Sequence, residues 1–211
     1  MVSLPDPKRN LLLAALPAAQ WKRWSPHLEV LDLPLGHVLY EAGGTMKYVY
    51  FPSTAIVSLL YVMENGASGE IAVVGSEGLV GVSLFMGGGS TPSRGVVQSA
   101  GQGFRLKAEL MKEEFDKGGP VMHLLLRYTQ ALITQMSQTA VCNRHHTLDK
   151  QLCRWLLMSL DRLRAGDDAG VDCQHAGRAA RRRDRRRAQA AKSRADQLLA
   201  WPHLGARPAG A

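Results

Sequence analysis

Cysteine is scarce in this 211-residue sequence: Cys142, Cys153 and Cys173 are the whole set, and the first 141 positions have none. An odd number at wide spacing supports neither a disulfide framework nor paired zinc ligands. Aromatic residues are also few, at 6%. Long apolar runs are missing. The stretch Leu11 to Leu16, behind Lys8 and Arg9, is too short to span a bilayer and lacks a clear cleavage site, so the expectation is a cytoplasmic protein without a membrane partner. Catalytic constellations are missing too. No Ser/His/Asp or Cys/His arrangement occurs, and Glu70, beside the apolar Ile71 to Val74, has no second carboxylate or histidine at useful spacing. It reads as a solvated or ligand-rim residue, and no enzyme is read here. Cys142, His145 and His146 lie close together without a second ligand pair, which suits a polar joint between helices better than a metal site.

Basic residues are unevenly spread. The formal net charge is +8, yet residues 1–163 hold 15 Lys and Arg against 13 Asp and Glu, whereas 164–211 hold 11 against 5. The excess belongs to the C-terminal stretch. Between Lys47 and Arg105 the only Lys or Arg is Arg94.

At 45% hydrophobic, the chain can bury one good core. Residues 9–27 carry apolar positions at helical spacing interrupted by Pro17, which predicts two short helices over the segment 1–27, with Trp21 and Trp24 as packing anchors. From 28 to 107 the pattern changes to short β runs: LEVLDL, HVLY, KYVYF, AIVSLLYVM, GEIAVV, GVVQS and GFRLK. Turn residues separate them. Asn65-Gly66 marks a hairpin, since both residues tolerate the positive φ of tight turns, and the whole run implies a small antiparallel roll.

Within the roll, Gly75 to Ala100 stands apart. It predicts a strand end, one apolar helical turn from Leu79 to Phe85, a loop of Gly87, Gly88, Gly89, Ser90, Thr91, Pro92 and Ser93, and a strand that opens with Arg94. Such a loop can cradle an anion with backbone amides and a guanidinium. It can equally be a solvated glycine hairpin beside a surface arginine.

Residues 108–146 predict a short helix, Ala108 to Asp116, and a long one from Pro120 to about Asn143. The long helix has two apolar faces: Val121, Leu125, Tyr128, Leu132 and Met136, and Met122, Leu126, Ile133 and Ala140. One face can cover the roll, and the other requires a partner helix, for which a second copy is the obvious candidate. Thr147 then opens a helix over 147–163, with Leu152, Trp155, Leu156, Leu160 and Leu163 on its apolar side.

This order of β runs, glycine cassette and long helix resembles the sensor half of the Crp/Fnr transcription regulators. The resemblance covers about three quarters of the chain. It implies an α+β fold, an antiparallel β-roll of the cyclic nucleotide-binding type with flanking helices and a long dimerisation helix, acting in a homodimer that binds promoter DNA. It places Gly81, Val82, Ser93 and Arg94 at the effector, with Arg94 as the phosphate-binding arginine. Ser137 and Gln138, counted from Pro120, reach the ligand from the long helix, and Leu125, Tyr128, Leu132 and Met136 mark the dimer helix. No cofactor is assigned beyond a small anionic effector. Cyclic AMP is expected to bind weakly, because Val82 stands where the family's cyclic-AMP binders carry a ribose-binding glutamate. The N-terminal cysteine cluster of the family's iron–sulfur oxygen sensors is missing.

Residues 147–163 match the first helix of the family's DNA-binding domain, but 164–211 supply no winged helix. Of those 48 residues 30 are Ala, Arg, Gly or Pro, and Val171 is the sole β-branched aliphatic. A nucleic-acid-binding arm, a polybasic membrane-surface segment and a region translated out of frame all fit this composition. The last is favoured, since these are residues of GC-rich codons, and it implies impaired DNA binding. The alternative is a stand-alone small-molecule-binding regulatory module whose basic tail meets acidic partners.

Overall fold

The computed structural model describes residues 5–167. Seven antiparallel strands form two sheets: β1 (Glu29–Leu33), β7 (Gly101–Lys107) and β3 (Tyr48–Pro52) in the order β1-β7-β3, and β2 (Val38–Tyr40), β6 (Ser93–Ser99), β4 (Ile56–Val62) and β5 (Ser68–Val74) in the order β2-β6-β4-β5. Helices α1 (Leu11–Ala14), α2 (Ala18–Trp24), α3 (Ala108–Asp116), α4 (Pro120–His145) and α5 (Leu148–Asp167) complete the fold. The expected α+β roll with its long helix is what forms. Among the described residues, no helix is long and apolar enough to cross a membrane.

Alternation along β3 sets up two cores, because successive side chains leave a strand on opposite faces. Val49 and Phe51 join Leu13, Trp24, Leu106, Met111 and Leu125 beneath the helices, with Trp21 packed at the margin. Tyr50 points the other way, against a cluster of Leu33, Val57, Leu59, Val74, Val97 and Leu132. Both tryptophans are therefore packing residues. Asn10, fully buried, joins the N-terminal helices to the roll: its Oδ1 accepts from the Leu12 and Leu13 amides at 3.1 and 3.2 Å, and its Nδ2 donates to the Pro52 and Gly78 carbonyls at 2.9 and 2.8 Å. Every polar atom of that amide is satisfied, as burial demands. The carboxylate of Glu114 on α3, also buried, meets Arg23 of α2 at 2.7 Å and Lys117 at 3.4 Å.

The Asn65-Gly66 hairpin forms as expected, with a three-residue loop: Met63 N–H donates to Ala67, Gly66 N–H donates to Met63, and Gly66 takes the positive φ of 80°. A third residue lets glycine alone carry the left-handed conformation. The helical turn over Leu79 to Phe85 shrinks to a single 3-10 turn, Val82–Leu84. Val80 is drawn into a bridge with Tyr50, and Gly81, at φ 112°, breaks the helical path. Along α5 the leucines of the expected apolar side, Leu152, Leu156, Leu160 and Leu163, stand exposed.

Helix α5 instead folds back along the outer face of the second sheet through its polar side. Glu70 is the joint, neither solvated nor at a ligand rim: its Oε2 accepts from Ser58 Oγ at 2.6 Å and from Trp155 Nε1 at 3.3 Å. Gln98 donates to Ser159 Oγ at 3.1 Å, and Arg162 donates to Glu77 at 2.7 Å and to the Val73 carbonyl at 3.0 Å. The tail expectations for residues 168–211 lie outside the described residues. If these polar contacts seat α5, Arg162→Ala removes a half-buried charge-assisted pair and is expected to cost about 1.5–3 kcal/mol of local stability. Amide exchange across 148–163 should rise with β4 and β6 unchanged; unchanged exchange in α5 would contradict the docking.

Candidate functional site

The cavity of the roll lies where α4 crosses the second sheet. Its volume is about 370 Å³, toward the lower end of small-molecule sites. Strand β4 contributes Leu59, the cassette contributes Leu79, Gly81, Val82, Ser83, Met86 and Gly88, and α4 contributes Thr129, Leu132, Ile133 and Met136. Tyr40 at the end of β2, Met46, Thr91 and Ser93 complete the wall.

Local chemistry explains why the cassette comes so close to α4. Gly78 leaves room that a side chain would fill, since a Cβ there would collide with the ring and hydroxyl of Tyr128. In that notch the Tyr128 hydroxyl donates to the Leu79 carbonyl at 2.8 Å. Desolvation pushes this hydroxyl above the ordinary tyrosine range, with nearby Glu77 adding to the effect. Gly95 plays a similar part opposite Tyr40, whose ring lies where a Cβ would project. The Tyr40 hydroxyl is bonded to Ser93 Oγ at 3.2 Å, and Ser93 Oγ is bonded to Thr91 Oγ1 at 3.0 Å. Burial raises the Tyr40 pKa, offset in part by the Ser93 bond.

The structure brings only some of the expected site residues together. Gly81, Val82 and Ser93 line the cavity; Arg94 does not. Alternation along β6 buries Ser93, Gly95 and Val97 on the cavity face and puts Arg94 on the other, its Nε 3.4 Å from Glu41 Oε2. That is an ion-pair separation without hydrogen-bond alignment, as the Nε has no hydrogen-bond partner. The anticipated phosphate-binding arginine is thus one residue out of phase with the cavity. A one-residue offset reverses the face of a strand residue, and no sequence motif reveals it.

Helix α4 also reverses expectation. Leu125, Tyr128, Leu132 and Met136, anticipated on the dimer helix, all pack inward against this chain's own roll, while Leu126 and Ile133 remain 42% and 47% exposed. Ser137 and Gln138 are exposed and line no part of the cavity; the Ser137 hydroxyl is bonded to the Ile133 carbonyl at 2.9 Å. Gln135, unremarked in the sequence, instead accepts from the Val73 amide at 2.9 Å and fastens α4 to β5. Thr129 and Ile133 were missed as lining residues, although the place of Thr129 between the two apolar stripes and of Ile133 on the second could have suggested them. Cys142 is buried with His146 Nδ1 3.2 Å from its sulfur, and no group of three metal-ligating side chains exists among the described residues.

No protein-family model and no curated protein matches the sequence. Solved structures do share its fold. A Crp/Fnr-family transcriptional regulator from Eubacterium rectale aligns over 73% of this chain and 72% of its own, with 13% identity and a TM-score of 0.63. The c-di-GMP responsive global regulator CLP from Xanthomonas campestris aligns over 66% and 70%, with 13% identity and a TM-score of 0.56. The regulatory subunit of a cAMP-independent protein kinase A from Trypanosoma brucei aligns over 59% of this chain, at 16% identity and a TM-score of 0.51, and the match spans 44% of that subunit. The described residues therefore have the cyclic nucleotide-binding-like roll and long helix of Crp/Fnr regulators, a likeness of fold.

The half-buried tyrosines generate a pH prediction. Tyr128, Tyr40 and Tyr50 all have folded pKa values above the unfolded value near 10, so the stability they contribute is present below that pH and is lost as pH rises through it. Urea unfolding should show stability falling above about pH 10, by up to about 1.4 kcal/mol per pH unit for each tyrosine held protonated. Tyr128→Phe should flatten that slope; stability independent of pH between 9 and 11 would contradict the burial of these hydroxyls.

Proposed function

We propose that this chain is the effector-sensing and dimerising half of a Crp/Fnr-type transcription regulator, working by binding rather than catalysis. A small molecule held in the roll governs how a homodimer presents itself to promoter DNA. The observation that carries this reading is the double duty of α4: Leu132 and Met136 roof the cavity, while the opposite side leaves Leu126 uncovered, flanked by Met122 and the exposed Ala140, with the half-exposed Ile133 at the border between the two faces. An apolar helix face of this kind favours a parallel partner helix, and a second copy supplies an identical one. Occupancy of the cavity would then bear directly on the pairing helix. Helix α5 takes the place of the first helix of the DNA-binding domain in this reading.

Sedimentation tests the assembly. The wild type should be dimeric at micromolar concentration, and Leu126→Glu should weaken the dimer at least a hundredfold, since an unpaired buried carboxylate costs about 3–5 kcal/mol. Leu132→Glu should instead lower the melting temperature of the roll. A monomeric wild type would refute the pairing.

A further inference from the structure

The chemistry of the cavity wall says what kind of molecule it takes, given the reading that this cavity is the effector site. No Asp, Glu, Lys, Arg or His is among its lining residues. The nearby guanidinium of Arg94 lies on the far face of β6, opposite Glu41. Two backbone donors of the cassette are already taken: the Leu84 and Gly88 amides donate to the carbonyls of Gly81 and Ser83, at 3.1 and 2.9 Å. An anion in this cavity would lose its hydration without gaining a cation, which is unfavourable. The walls are instead aliphatic and thioether: Leu59, Leu79 and Leu132 with Met46, Met86 and Met136. Methionine at three points lets such a wall adapt to an apolar guest.

Beside the lone hydroxyl of Ser83, one polar cluster interrupts this surface. Tyr40, Ser93 and Thr91 form a chain of three hydroxyls joined by two bonds, 3.2 and 3.0 Å long. Each hydroxyl carries one proton, so two protons serve the chain and the third is left to donate. The remaining hydroxyl on α4 is committed, Thr129 Oγ1 donating to the Leu125 carbonyl at 2.9 Å.

We infer that the cavity binds an uncharged, mostly apolar molecule whose single hydroxyl or carbonyl oxygen accepts a hydrogen bond from the Tyr40–Ser93–Thr91 chain. The anionic effector expected from the cassette's sequence gives way to a neutral one. The same lining accounts for Val82, which packs against both cores as an apolar wall residue.

The test uses the full chain with the neutral fluorophore N-phenyl-1-naphthylamine and competitors at pH 8. Decan-1-ol should displace the probe at a concentration at least tenfold below that of decanoate, and cyclic AMP should not displace it. Arg94→Ala should leave these affinities within about twofold. Tyr40→Phe, which removes one proton from the chain, should weaken decan-1-ol about three- to tenfold, and Met136→Trp, which fills the cavity, should abolish probe binding. Thermal unfolding monitors whether each variant folds, and the wild-type competition series decides the matter without them. Tighter binding of decanoate or cyclic AMP, lost in Arg94→Ala, would overturn the neutral-ligand inference while leaving the effector site standing. Probe binding that survives in folded Met136→Trp would place the apolar site elsewhere and overturn the inference. No binding of any of the four compounds would remove the effector-site reading as well.

Discussion

The bond from the Tyr128 hydroxyl to the Leu79 carbonyl ties together parts of the molecule that would otherwise share only apolar contact. Tyr128 packs against both hydrophobic clusters, the one beneath the helices and the one inside the roll. Its ring occupies the space opened by Gly78, and its hydroxyl ends on the backbone just ahead of the left-handed Gly81. A buried hydroxyl without a partner would cost about 1–3 kcal/mol, so α4 has one favourable rotational setting over the cassette. That setting turns Leu132 and Met136 into the cavity, leaves Leu126 outward and puts Ile133 at the border between them. The division of α4 into a sensing face and an uncovered face thus follows from one contact.

Charge is placed with the same economy. The described ion pairs lie at the outside of the roll or on the helices: Arg23 and Lys117 with Glu114, Arg105 with Glu29, Arg94 with Glu41, and Arg162 with Glu77. The inner wall carries only hydroxyls. A low-dielectric pocket of this composition discriminates against ions through the cost of stripping their water, and toward a hydrogen-bond acceptor through the spare hydroxyl proton. The outer face of the second sheet does the opposite work. There Ser58, Glu70 and Gln98 form a polar seat for α5, so that helix is held by oriented bonds and leaves its leucines exposed.

Much of this architecture was legible in the residues. Each of the seven β runs becomes a strand, Pro17 separates α1 from α2, and Pro120 begins α4. Breakers and periodicity report on backbone, and the backbone follows them. The site was harder to read, because its details depend on phase. Ser93 and Arg94 are adjacent, and which of them faces the cavity is decided by the pairing of β6 with β4, a property of two strands more than thirty residues apart. The two faces of α4 were distinguishable as stripes, but nothing local said which stripe met the roll. That depended on Tyr128 finding the notch at Gly78, fifty positions upstream. The polar seat of α5 was equally distant, since Glu70 and Trp155 gain meaning only as a pair.

The central claim is that α4 is the wall through which the cavity is read. Amide hydrogen exchange of the wild-type chain, with and without saturating decan-1-ol, tests it most directly. Protection is expected to increase over residues 129–136 of α4 and over the cassette at 79–88, the segments that line the cavity. Protection confined to the outer face of β6 or to α5, with α4 unchanged, would contradict the account.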